Sequence, residues 1–544
     1  MNNQPDVKVG KGAAAASLGT AISRATGLLR LSAMTYAIGV VENKLADTYN
    51  LANTTPNIIY ELAIGGILSS VFIRLYIEVR DREGQQEAWD FIARVTTIVT
   101  MGLGLLTVLG VFIAPLIFRA YTIGGPAVAV QQRSVGTLLL RLFVPQIVFY
   151  GFGTISTAVL NAHRRFGVPM FAPVLNNLTT IATFIGFSIL IPKSVRSLSA
   201  VPSRGVLLLG IGTTAGVIFQ GMIPWLYMRK LGYRRRSGLG FADPRLRRLA
   251  NLSLYMFGYV ATNQLGLWVA LFLANRVQGG VAGYQSAFQF FQLPHGLLAV
   301  SIAVVIYTGL TERAVADDME GFARQLGQGL RAIAFVVLPA IAGYIALAPS
   351  VVHLLLQHGL TGSASTALIS TVLRSWAIGI FFFSTFYMIL RAYYALGDTR
   401  TPMLINIAAL GVNVVVDVVL FTMLDGKAMK VAGLAIGHSL SYLVAAVLAG
   451  VMIKKRVGAR VFQGYARTVG ATILASVLTG TAAWLAARAL SALFHVSETS
   501  STVPTAGVVA GATLAGLLIY AGTTWLLRIE EFKWVASIMW RRHN

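Results

Sequence analysis

The chain has 544 residues, of which 56% are hydrophobic and only 12% charged, and its mean hydropathy is +0.70. A soluble globular protein carries about 25% charged residues, so a water-soluble fold is excluded. The net charge of +24 comes without any cysteine, which excludes disulfides, thiol catalysis and Cys-based metal sites.

Apolar runs of roughly 20 residues recur from end to end, each long enough to cross the hydrocarbon core. About fourteen are predicted, near 13–41, 46–78, 90–119, 135–161, 168–191, 205–229, 249–276, 283–311, 328–348, 366–396, 402–424, 431–453, 467–493 and 503–527. They must be helices, because an unpaired backbone group is too costly in lipid. The expected fold is therefore an all-α integral membrane protein. Lys and Arg cluster in alternate loops: Arg80 and Arg82; Arg164 and Arg165; Arg229, Lys230, Arg234, Arg235, Arg236, Arg245, Arg247 and Arg248; Lys454, Lys455, Arg456 and Arg460; Arg541 and Arg542. The positive-inside rule makes these loops cytoplasmic, and an even number of spans puts both termini there. Lys193, Arg196 and Arg204 run against the pattern. The positive charge reads as a topology signal and as contact with anionic phospholipids, not as a nucleic-acid surface. The apolar run after residues 1–12 is too long for a signal peptide, so the first helix is expected to stay.

Span one holds the most expensive feature, Ser23-Arg24-Ala25-Thr26-Gly27-Leu28-Leu29-Arg30. A charge at the centre of a lipid-facing helix costs about 2.5–3.5 kcal/mol on insertion scales. Arg24, Gly27 and Arg30 fall within an arc of about 120°, with Gly27 at its centre. Together with Ser23, the glycine forms a small face on which a bulky polar group could approach the backbone between two cationic arms. That arrangement points to a cavity for an anion, and phosphate or pyrophosphate suits the guanidinium fork best. The alternative is that both arginines snorkel or pair with helix-end carbonyls.

Span two opens at Asp47 and carries Tyr49, Asn50, Asn53, Thr54, Thr55, Pro56, Asn57, Tyr60 and Glu61. It is too polar to face lipid. Pro56 removes a backbone hydrogen bond and is expected to kink it, as a gate would require; a buried helix paired with its neighbours is the other reading. Asp47 and Glu61 are candidate partners for the arginines. Span eight has the same character, with Tyr284, Gln285, Ser286, Gln289 and Gln292 before Pro294. Span eleven places Asn413 and Asp417 on one helix face. An intramembrane Asp either binds a coupling cation or proton, or pairs with a neighbour, here His438 on span twelve.

The chain repeats itself weakly. Leu160 to Gly167, followed by Pro169-Met170, echoes Leu390 to Gly397, followed by Pro402-Met403; Pro56 and Pro294 each interrupt an apolar run. Six spans repeated in one orientation imply two six-helix lobes that rock about a passenger held between them. The expected organisation is an N-lobe at 1–232, a basic linker at 233–248, a C-lobe at 249–458, and spans thirteen and fourteen with an interfacial tail at 459–544. No Walker loop or metal-ligand spacing is present, so neither enzymatic chemistry nor ATP hydrolysis is expected.

These residues resemble the MurJ (MviN) family of lipid II flippases, within the multidrug/oligosaccharidyl-lipid/polysaccharide exporter superfamily, and actinobacterial members most. The resemblance lies in Ser23, Arg24, Gly27 and Arg30; in Asp47 with Pro56-Asn57; in Asn161 to Asn176; and in Gly397 to Pro402. It implies export of the undecaprenyl-pyrophosphate-linked disaccharide-pentapeptide across a bacterial cytoplasmic membrane, beside cell-wall synthesis and division proteins. Arg24 and Arg30 would bind the pyrophosphate, Asp47 would act as a cavity or gate carboxylate, and the last two helices would hold the lipid tail. The chain also departs from the family. Ile58, Ile59, Tyr60 and Glu61 follow Pro-Asn where many members have a further Arg, Gly65 replaces a Glu, and Gln289 replaces an Arg on span eight. A sodium site of some relatives is matched by Asn413 and Asp417, but Ala270 replaces its span-seven Asp and His438 a Thr. Sodium or a proton is thus the expected coupling ion. A flippase for another polyprenyl-pyrophosphate glycan, a cation/drug antiporter and a non-transporting scaffold are the competing readings.

Overall fold

The computed structural model describes residues 5–65, 70–123, 129–163, 165–233, 244–496 and 502–532. Arg164, most of the basic linker and the tail from Lys533 through Trp534, Trp540, Arg541 and Arg542 lie outside the described residues. Among the described residues the fold is helical throughout. The first helices are α1 (Pro5–Ile38), α2 (Leu45–Tyr60), α3 (Ser70–Glu83), α4 (Gln85–Tyr121), α5 (Ala129–Phe143) and α6 (Gln146–Ala162). Then come α7 (Gly167–Leu190), α8 (Ser203–Lys230), α9 (Pro244–Ala274), α10 (Gly280–Pro294), α11 (Val300–Val315) and α12 (Met319–Leu356). The last are α13 (Ser363–Ala395), α14 (Arg400–Met423), α15 (Lys427–Val457), α16 (Tyr465–Leu493) and α17 (Thr502–Leu526).

Among the described residues twelve segments, from α4 onward, are long and apolar enough to cross a membrane, and they coincide with spans three to fourteen. The described parts of the first two spans, on α1 and on α2 and α3, carry the polar residues and are not among them. Phe112 is 74% exposed and Ile189 77%; side chains of this kind face lipid, since water would make so large an apolar surface costly.

The repeat is visible in the backbone. Pro56 lies inside α2, which runs into a π-helical turn at Glu61–Gly65 before α3 begins. Pro294 ends α10, and a second π-helical turn at His295–Ala299 leads into α11. Proline removes one donor, and the wider i→i+5 turn re-satisfies the ladder around the gap. The helix turns also match. Arg165 N donates to Leu160 O at 2.8 Å, and Asp398 N to Tyr393 O at 2.9 Å, before α7 and α14 start in equivalent places.

Packing divides the chain into two compact units, Met1–Val281 and Ala282–Asn544, which places α9 with the first unit. In the first unit, the ends of α3, α6 and α8 meet the start of α4. The His163 ring stacks on Trp89 at 5.6 Å and bonds to the Tyr76 hydroxyl at 2.7 Å, while Trp89 also meets Tyr233. Burial, then the nearby Arg80 and Arg165 charges, hold the imidazole pKa below its usual value, so the ring is neutral at pH 7. This end collects the basic loops.

The opposite end explains one of the cations that ran against the pattern. Arg196 is buried and donates to the α7 C-terminal carbonyls of Ile191 at 2.7 Å and Ser188 at 2.5 Å. It is a helix cap, which a cation suits at the negative end of the macrodipole. In the second unit, α16 and α17 pack on α12 through Leu347, Ala483, Val508 and Ala512, and the Tyr520 hydroxyl donates to Phe335 O.

Helix pairs approach closely through glycine. A Cβ at Gly221 of α8 would overlap the backbone carbonyl of Phe149 on α6, which cannot swing aside. Gly221→Ala should therefore destabilise the first unit by about 1–3 kcal/mol. Thermal unfolding in detergent would read this, and an unchanged melting curve would show that the two helices can part.

Candidate functional site

Helix α1 does not leave its small face open. Asn177 of α7 donates to Ser23 O at 3.1 Å and to Thr26 Oγ1 at 3.0 Å. The side of Gly27 where a Cβ would sit faces the same Asn177 amide at 3.8 Å, and Gly19 faces Met170. The expectation that the Ser23–Gly27 face admits a head group is thus corrected: this face packs against α7. The arginines lie on either side of that contact, and both are half-buried.

Arg30 belongs to a polar cluster inside the first unit. Its charge acts through space on Tyr49 and Tyr150. Tyr49 bonds to Thr213 Oγ1 at 2.8 Å and is wedged between Phe143 and Phe184. Tyr150 stacks near Tyr60, with ring centroids 5.3 Å apart, and its hydroxyl lies beside the Asn57 amide. The Tyr60 hydroxyl is paired with Thr154, whose own hydroxyl donates to Tyr150 O at 3.0 Å. Asn57 donates to Asn53 O at 3.1 Å. Asn53, Asn57 and Glu61 are all half-buried on the kinked second span. No carboxylate forms an ion pair with Arg30 among the described residues. A half-buried guanidinium without a counter-charge is expensive at membrane depth and is a ready anion site.

Asp47 does something else. It is fully buried and forms an ion pair with Lys44 at 3.0 Å. Its Oδ2 also accepts from Gly279 N at 2.8 Å, just before α10. Lys44 donates to Asn275 O at 2.5 Å and Val277 O at 2.8 Å, just after α9. The cation therefore caps the C-terminal end of α9, and the anion meets the N-terminal end of α10, as both helix dipoles favour. The expectation that Asp47 partners the arginines gives way to this clasp.

In the second unit, Gln289 and Gln292 are half-buried on α10 and Pro294 is buried. Asn413 donates to Asp417 Oδ1 at 3.1 Å, and that oxygen lies where a Cβ at Gly437 would be. Asp417 Oδ2 is buried with no hydrogen-bond partner among the described residues. The expected pairing of Asp417 with His438 is thus not formed; His438 instead sits among Trp376 at 4.6 Å, Tyr442 at 4.8 Å and Phe291 at 6.4 Å. For sodium, Asn413 and Asp417 supply oxygens while Ala270 and His438 supply none, and no group of three or more His, Cys, Asp or Glu could hold a metal among the described residues. The two oxygen-bearing side chains thus stand together on α14, as a site for a single cation would use them.

Lys44, Gln146, Tyr150 and Thr154 were missed from sequence. The signals existed: Lys44 stands three residues before Asp47, and the other three recur every four residues along one face of an apolar span.

Membrane-length helices, two π-helical interruptions and two half-buried arginines on α1 define a membrane transporter. A solved structure described as a lipid II flippase MurJ in an inward closed conformation shares the fold at a TM-score of 0.74, with 21% identity over 94% of this chain and 98% of that one. A multidrug MATE transporter of the MOP superfamily shares it at 0.63, with 16% identity over 80% and 95%. The chain belongs to the lipid II flippase MurJ family, whose description matches residues 34–504. A probable lipid II flippase of Vibrio cholerae is 26% identical over 78% of both chains, and one of Thermotoga maritima 25% identical over 95% of this chain and 96% of its own. This is a transporter family, and the chain is a multi-pass inner-membrane protein. Arg24 and Arg30 lie ahead of the matched stretch, so their role rests on geometry.

Proposed function

We propose that this chain moves lipid II from the inner to the outer leaflet of the cytoplasmic membrane, with Arg30 and Arg24 holding its pyrophosphate. The observation that carries the reading is Arg30, half-buried among hydroxyls and amides with no carboxylate paired to it, in a chain of the lipid II flippase family. Both termini face the cytoplasm in this reading, which the basic loops gathered at one end of the first unit support. Those loops contact anionic phospholipids, and cell-wall synthesis and division proteins are the expected neighbours. A pyrophosphate carries about two negative charges, and each charge crossing 100 mV is worth about 2.3 kcal/mol. With the inside negative, the potential alone favours export.

The test is a depletion strain. Loss of the protein should leave lipid II trapped in the inner leaflet and lyse the cells, and the wild-type gene should restore outer-leaflet lipid II. Normal outer-leaflet levels after depletion would refute the reading.

For coupling, the reading is a single exchangeable cation at Asp417, a proton or sodium. In proteoliposomes, Asp417→Asn should remove any stimulation of flipping by an imposed pH or sodium gradient. Stimulation that survives the substitution places coupling elsewhere.

A further inference from the structure

One guanidinium fork cannot satisfy a diphosphate. Arg30 offers five N–H donors in a plane, whereas two linked phosphates present more acceptor lone pairs, spread over a longer body. Arg24 supplies some of the remaining donors, and the rest must come from the groups around Arg30. Three tyrosines stand there, and their hydroxyls differ. That of Tyr49 is buried and bonded to Thr213 at 2.8 Å. That of Tyr60 is held by Thr154. That of Tyr150 donates to Gln146 Oε1 only at 3.4 Å, near the limit of a hydrogen bond.

The weakly held proton is the one that a ligand can take. Charge placement agrees. Arg30 acts on Tyr150, whereas the Glu61 carboxylate acts on Tyr60. An anion at Tyr150 is thus near the cation. Asn57, beside the Tyr150 hydroxyl, orients that oxygen.

We propose that Tyr150 is a head-group-binding residue that sets the preference for a diphosphate over a monophosphate: Arg30 holds one phosphate, and the Tyr150 O–H turns from Gln146 to donate to the other. The assignment rests on the flippase reading above. It also explains how a site with few arginines takes a doubly charged passenger. A phenol adds a donor without adding a positive charge that would travel with the lipid and offset the membrane potential.

The experiment uses the purified full chain in detergent, titrated with farnesyl diphosphate and farnesyl monophosphate as probes. Wild type should bind the diphosphate more tightly. Tyr150→Phe, which keeps the ring, should weaken diphosphate binding by about tenfold while leaving the monophosphate unchanged, as expected for one hydrogen bond to a charged group. Gln146→Leu removes the present acceptor of the Tyr150 proton and should bind the diphosphate at least as well as wild type. If instead Gln146→Leu weakens binding as Tyr150→Phe does, the effect is structural and the assignment falls. It falls equally if wild type shows no preference, if Tyr150→Phe binds normally, or if it weakens both probes alike. Arg30→Ala separates the two levels: unchanged binding of both probes defeats the flippase reading at Arg30, whereas loss of both beside a normal Tyr150→Phe defeats only Tyr150.

Discussion

Arg30→Ala should fail to rescue a strain depleted of the protein, although the variant reaches the membrane in normal amounts. Arg30 makes no ion pair among the described residues, so its removal breaks no structural bridge. Deleting an uncompensated, half-buried charge relieves a desolvation cost. The variant should therefore unfold at the wild-type temperature or above it. What it loses is the anion. A hydrogen bond to a charged group contributes about 1.5–3 kcal/mol, so losing a two-bond fork weakens head-group binding by at least about a hundredfold. Arg30→Lys keeps the charge but not the fork, and should fall between the two. Arg24 lies on the other side of the α7 contact, and Arg24→Ala should be the milder of the two alanine variants. Wild-type growth by Arg30→Ala at normal protein levels would remove the anion site from this part of the molecule.

The spans were legible in the sequence because lipid allows so few solutions. Length and apolarity alone located the twelve segments from α4 to α17. The broken helices were legible for the same reason, since Pro56 and Pro294 remove donors that nothing in lipid replaces. Their π-helical form was not legible, because how the ladder re-closes depends on neighbouring helices. The arginines stood out by cost, but their surroundings did not. Gly27 read as an opening because spacing on one helix cannot say which other helix packs there; Asn177, about 150 residues away in sequence, fills the position. Asp47 read as a partner for Arg24 or Arg30 by charge, yet a nearer cation, Lys44, was three residues away. Arg196 looked like an exception to the charge pattern, and Lys44 drew no notice. Helix ends need cations too, and the sequence does not announce which helix end a loop residue will reach.

Lys44→Met should be the most destabilising of these substitutions. The Lys44 side chain is 5% exposed and that of Asp47 is fully buried. Taking one member from a buried pair leaves the other charge without compensation, which typically costs 3–5 kcal/mol. Here the loss is shared among three structures. The α9 carbonyls of Asn275 and Val277 lose their cap, Asp47 keeps the Gly279 N–H but loses its counter-charge, and the loop from α1 to α2 loses its hold on the α9–α10 turn. Glycine at 279 makes that turn possible: its φ is +76°, and a Cβ would come within 2.8 Å of Val41 Cα. Adding Asp47→Asn to Lys44→Met should recover part of the loss, because the amide oxygen can still accept from Gly279 N while no charge stays buried. The non-additivity of the double variant is thus the sharper measurement, read as thermal unfolding of the purified chain. Additive losses would mean that Lys44 and Asp47 act separately on α9 and α10. Strong recovery would mean that the two charges form one device, holding the end of one membrane helix to the start of the next through their opposite dipoles.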